Sequence, residues 1–105
     1  SCGLYLKTYV GFGRMNDAED VTNLQAFLNE QLGSNLPMTG YFGPLTEAAV
    51  NQFQLKYRTE VLKPWADIGL LPDENTPTGY VYKTTRRMIN NIVCPSLQLP
   101  IPPLP

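Results

Sequence analysis

The chain has 105 residues, 43% hydrophobic and 16% charged, with a net charge of −1 and no histidine. This length suits one compact core and is too short for two. Near-neutral charge argues against nucleic acid, whose phosphates demand clustered Lys and Arg, and no apolar run approaches the roughly 20 residues of a membrane span.

The missing histidine also removes imidazole metal ligands and the Ser-His-Asp and Cys-His nucleophile systems. Acidic residues do not pair convincingly as a glycosidase would require. Asp17, Glu19 and Asp20 read as helix capping, and Asp73 and Glu74 as a turn. Gly40-Tyr41-Phe42-Gly43 lacks the ligands of a phosphate or calcium loop. The expectation is a binding protein with no enzymatic activity, no cofactor and no metal. Charge is uneven, −3 over residues 1–47 and +2 over residues 48–105, which reads as a solvated distribution more readily than as a device for head-to-tail contact.

The chain begins Ser1-Cys2, as suits a product trimmed after export or a domain cut from a longer protein. Residues Leu4 to Phe12 alternate weakly and read as an extended arm covering the helices. Asn16 or Asp17 can cap a first helix whose apolar face is Val21, Leu24, Phe27, Leu28 and Leu32, closed by Gly33. A loop follows, in which Gly40 and Gly43 supply positive φ or close backbone approach. Pro44 then opens a second helix with Leu45, Ala49, Val50, Phe53 and Tyr57 inward.

Between Arg58 and Pro77 the residues Val61, Leu62, Trp65, Ile68, Leu70 and Leu71 are too apolar for a free loop. A short helix around Leu62 to Asp67, with Pro64 in its first turn, should fold onto the core. A third helix follows, with Thr85, Met88, Ile89 and Ile92 inward. Arg86 and Arg87 read first as salt-bridging residues on a solvated face.

Cys2 and Cys94 bracket the body. Two thiols cannot complete a structural zinc site. In an exported chain a disulfide between them is favoured over two buried free thiols, and it would pin the arm to the end of the last helix. After Cys94, residues 95–105 carry five of the ten prolines and no charge, which predicts an extended polyproline tail. Its Leu97, Leu99, Ile101 and Leu104 read as side chains in search of a surface, on this chain or on a neighbouring one.

One pattern recurs. Thr39-Gly40-Tyr41-Phe42-Gly43-Pro44-Leu45-Thr46 opens the second helix, and Thr78-Gly79-Tyr80-Val81-Tyr82-Lys83-Thr84-Thr85 opens the third, 39 positions later. Val50 matches Ile89 and Phe53 matches Ile92, so a duplicated turn-and-helix unit is expected. Phe42 and Val81 occupy matching places and read as buried plugs.

These segments, with Val21 to Leu28 including Leu24-Gln25-Ala26-Phe27-Leu28, resemble the peptidoglycan-binding domain family, small helical modules attached to many bacterial cell-wall hydrolases and surface proteins. The resemblance runs from about Val21 to Ile92. There are two departures: Tyr82 stands where the pattern suggests a glycine, and the stretch between Tyr57 and Thr78 exceeds the family's short connector. The resemblance implies an all-α, compact three-helix body over residues 1–94 with a tail over 95–105. It further implies an exported, cell-wall-associated location and a groove for peptidoglycan or another surface polymer between the helices and the loops. The aromatic set near those loops, with nearby polar groups, makes Tyr41, Thr46, Trp65, Tyr80, Tyr82 and Arg86 the candidate ligand-binding residues. A second reading makes the chain a structural subunit of an extracellular filament or surface layer, self-associating through residues 95–105.

Overall fold

A computed structural model describes residues 2–105. Helix α1 spans Ala18–Leu32, α2 Pro44–Lys56, α3 Arg58–Val61, α4 Lys63–Asp67 and α5 Lys83–Val93, followed by a 3-10 turn at Pro95–Leu97. The fold is all-α. Three longer helices build the body, and α3 and α4 form the helical part of the insertion. Among the described residues the sole β pairing is one antiparallel bridge, Val10 to Val81. None of these helices is long and apolar enough to cross a membrane.

Local chemistry explains the helix ends. The Asp17 carboxylate accepts the backbone N–H of Asp20 at 2.9 Å, satisfying an otherwise orphaned donor. Gly33 stops α1 in a left-handed conformation with φ 65°. Pro44 and Pro64 stand in the first turns of α2 and α4, where a missing N–H is harmless.

Val21, Leu24, Phe27 and Leu28 of α1 meet Val50 and Phe53 of α2 and Ile89 of α5, all buried. Phe27 and Phe53 pack edge to face with centroids 5.4 Å apart. Each such side chain contributes about 1.5–3 kcal/mol by burial, and the aromatic pair somewhat more. Leu45 departs from its expected inward place and is 68% exposed, because Thr46 takes the inward position of that turn.

The arm is locked by side chains that the apolar pattern does not disclose. Asp20 is buried, and its carboxylate accepts the N–H groups of Lys7 and Thr8 and the Thr8 hydroxyl. Asn90, also buried, donates to Leu6 O at 3.0 Å and accepts Leu6 N–H at 2.8 Å, so one amide replaces a strand partner. A disulfide joins Cys2 to Cys94, with Cα atoms 6.4 Å apart, and fastens the arm to the end of α5.

The insertion settles by its first residues. Val61 and Leu62 are buried, and the Thr84 hydroxyl donates to Val61 O at 2.7 Å while accepting Trp65 Nε1–H at 2.9 Å. Ile68 and Leu70, expected on the core, are instead largely exposed. The tail runs along α5 of its own chain. Asn91 pairs with Leu99 through both its amide atoms, and Arg87 donates to Leu99 O. Backbone groups make this docking: Leu97, Leu99 and Leu104 are half-buried, while Ile101 is 66% exposed.

Candidate functional site

The two Thr-Gly-Tyr loops are each held by one buried glutamine from an earlier long helix. Gln25, on α1, donates to Tyr41 O at 3.0 Å and Thr46 Oγ1 at 3.1 Å, and accepts Gly40 N–H at 3.1 Å. Gln54, on α2, donates to Tyr80 O and Thr85 Oγ1, both at 3.1 Å, and accepts Gly79 N–H at 3.0 Å. It also donates to Thr78 Oγ1 and accepts Thr78 N–H. Each loop therefore has its backbone groups satisfied by an amide inside the body.

Loop conformation matches as well. Gly40 and Gly79 have φ of 77° and 70°, and a Cβ at either would also stand about 3.0–3.1 Å from its nearest neighbour, the Ala18 carbonyl or the Glu47 side chain. Only glycine fits both demands without strain. Phe42 and Val81, the matching residues that follow Tyr41 and Tyr80, are buried as expected of plugs.

Beyond that shared frame the loops diverge, and the candidate ligand residues separate into three places. Beside the first loop a groove of about 190 Å³ is lined by Gln25, Pro37, Thr39, Tyr41, Leu45 and Thr46, together with Gly43 and Pro44. Tyr41 is 68% exposed. Its ring rests on the Gly43 backbone so closely that a Cβ there would lie 2.7 Å from Tyr41 Cε2. Gly43 thus serves by its missing side chain, with an ordinary φ of −102°. Thr46 is buried and its Oγ1 is taken by Gln25, which gives it a positioning role.

Beside the second loop, Tyr82 occupies the place of Gly43 and changes the arrangement. Its ring stacks on Tyr80 at 5.0 Å and 10°, and on Trp65 at 5.8 Å and 26°. The Arg14 guanidinium lies 3.7 Å from the Tyr80 ring centroid. Ring surfaces open at Tyr41 are here spent on one another. With Val61, Leu70 and Leu71 from the insertion, these aromatics enclose a cleft of about 150 Å³ that no charged side chain lines.

Arg86 belongs to neither cleft. Its guanidinium lies 4.8 Å from the Tyr9 ring centroid and donates to Lys7 O at 3.0 Å. Among the described residues the expected salt bridges of Arg86 and Arg87 are not formed, and backbone carbonyls take the arginine donors instead.

Gln25, Gln54, Gly43 and Arg14 escape an apolar-pattern reading. The signal for the glutamines was the recurring apolar-Gln step, Leu24-Gln25 and Phe53-Gln54.

Comparisons with curated proteins and with solved structures return no match. A family model described as "Putative peptidoglycan binding domain" matches residues 17–61. That span contains α1, the first Thr-Gly-Tyr loop, α2, α3 and every residue that lines the Tyr41 groove. Residues 17–61 of this chain are thus similar to the peptidoglycan binding domain family.

Proposed function

We propose that the chain is a non-catalytic, exported module that attaches its parent protein to peptidoglycan or a related wall polymer at the groove beside Tyr41. The observation that carries this reading is the Tyr41 ring, 68% exposed and seated against Gly43 inside the family-matched segment. A ring presented in this way offers one open face to the C–H surface of a sugar. Thr39 adds a hydroxyl at the rim, and no charged side chain lines the groove, which suits a neutral saccharide better than an ionised group. A rigid aromatic needs little further ordering on binding. The Cys2–Cys94 disulfide is in keeping with an oxidising location outside the cytosol.

In the second reading, a filament or surface layer joined through the tail, the bonds of Leu99 to Arg87 and Asn91 would pass to a neighbouring copy. The tail's fit to its own helix makes that reading the weaker one.

Sedimentation with purified, protein-free peptidoglycan tests the proposal. The chain is expected in the pellet, and Tyr41→Ala in the supernatant with unchanged thermal stability. If the native chain does not pellet beyond a size- and charge-matched control, the function is wrong; if Tyr41→Ala pellets equally, the groove is wrong.

A further inference from the structure

Lys83, Arg86 and Arg87 lie in the first half of α5, outside the family-matched segment. The helix itself gives no reason for them there. Cations are disfavoured near the positive end of a helix dipole, and the first turn of α5 holds no acidic residue to compensate. Among the described residues the one ion pair is Lys63–Asp67, so no Asp or Glu side chain partners these three cations.

All three are nevertheless held in place by backbone oxygens. Lys83 donates to Pro103 O at 3.0 Å and Pro105 O at 2.8 Å, Arg87 Nε donates to Leu99 O at 2.9 Å, and Arg86 donates to Lys7 O at 3.0 Å against the Tyr9 ring. An arginine carries five N–H donors, so both guanidinium groups keep spare donors in a fixed plane. The three cations and Tyr9 face Leu99 and Pro102 of the tail across a cleft of about 290 Å³, larger than either loop cleft. One wall is cationic and rich in donors. The tail side offers apolar side chains and, apart from the carbonyls already bound to Lys83 and Arg87, prolines that have no N–H to offer.

We propose that this cleft binds the free carboxylate of a short peptide with small apolar side chains, the carboxylate on Arg86 and Arg87 and the side chains against the proline wall. A planar carboxylate matches the guanidinium fork, and a neutral sugar would leave these charges unanswered. The site would give a wall-binding module a second contact, to the peptide part of a polymer whose glycan part lies at Tyr41. Only the biological source of the peptide rests on the function proposed above; the binding chemistry stands apart from it.

The test is an NMR titration of the uniformly 15N-labelled full chain with N-acetyl-D-alanyl-D-alanine, its C-terminal amide, and inorganic phosphate. The free acid is expected to shift signals of Arg86, Arg87 and Asn90 saturably, with the amide at least about tenfold weaker. Arg87→Gln should weaken the acid about tenfold while signal dispersion reports an intact fold, and Tyr41→Ala should bind it as the native chain does. Equal binding of acid and amide, equal binding of phosphate and acid, or no saturable shift overturns the proposal. A chain that pellets with peptidoglycan yet shows no acid-dependent shift loses this inference alone; the converse result loses only the Tyr41 reading.

Discussion

Replacing Gln54 by Met keeps nearly the same volume in the body and deletes every hydrogen bond that the amide makes. Gln54 has five partners, Thr78 Oγ1 and N, Gly79 N, Tyr80 O and Thr85 Oγ1, served by two amide hydrogens and two carbonyl lone pairs, the equivalent of four bonds. The same change at Gln25 deletes three, to Gly40 N, Tyr41 O and Thr46 Oγ1. At about 1 kcal/mol net per bond, the expected losses are about 4 and about 3 kcal/mol. Such losses are a large share of the 5–15 kcal/mol typical of a domain. The assay is urea denaturation followed by Trp65 fluorescence, with the m-value checked so that the change in midpoint reports stability. Gln54→Met must be the more damaging of the two. Equal effects, or a loss below about 1 kcal/mol for Gln54→Met, would refute the claim that these amides hold the loops.

Reducing the Cys2–Cys94 bond, whose cysteines are 92 positions apart, should cost about 4–5 kcal/mol by the loop-closure argument, read as a fall in urea midpoint matched by the Cys2→Ser/Cys94→Ser variant. An unmoved midpoint would contradict this. Burial holds the Tyr5 phenol above its ordinary range while its hydroxyl donates to Asn23 O at 2.7 Å. The folded state keeps this proton after the unfolded chain has lost it, so the stabilisation is complete below about pH 10 and declines as pH rises through the folded value. Tyr5→Phe should therefore show a smaller loss of stability between pH 8 and pH 11 than the native chain does. Gly43→Ala, at a φ that alanine adopts freely, should displace the Tyr41 ring and lower peptidoglycan sedimentation with a change in melting temperature of only a few degrees. Unaltered sedimentation would show that the ring's seat on Gly43 is irrelevant to binding.

The apolar periodicity of Val21, Leu24, Phe27 and Leu28, the proline at Pro44, the cap at Asp17 and the glycine at Gly33 are local instructions, and a reader of the chain recovers α1 and α2 from them because each acts within one or two turns. The spacing of the two Thr-Gly-Tyr segments likewise announces two alike loops. Exposure was less legible. Leu45 keeps helical spacing with Ala49, yet the inward position of its turn goes to Thr46, a choice made by Gln25 on another helix.

What the chain determined alone was the class of fold, the likeness of residues 17–61 to the peptidoglycan binding domain family and the means of fastening the arm, since each rests on local spacing or on the presence of two cysteines. Tertiary structure decided which aromatic rings remain open. Tyr41 and Tyr80 occupy the same place in their loops, but the first lies on Gly43 and faces outward, while the second is closed in by Tyr82 and Arg14. The deciding neighbours are far apart in sequence, and ring stacking is a property of distance and angle that no spacing along the chain encodes. The same holds for Lys83, Arg86 and Arg87, whose shared cleft exists only because the arm and the tail both fold back onto α5.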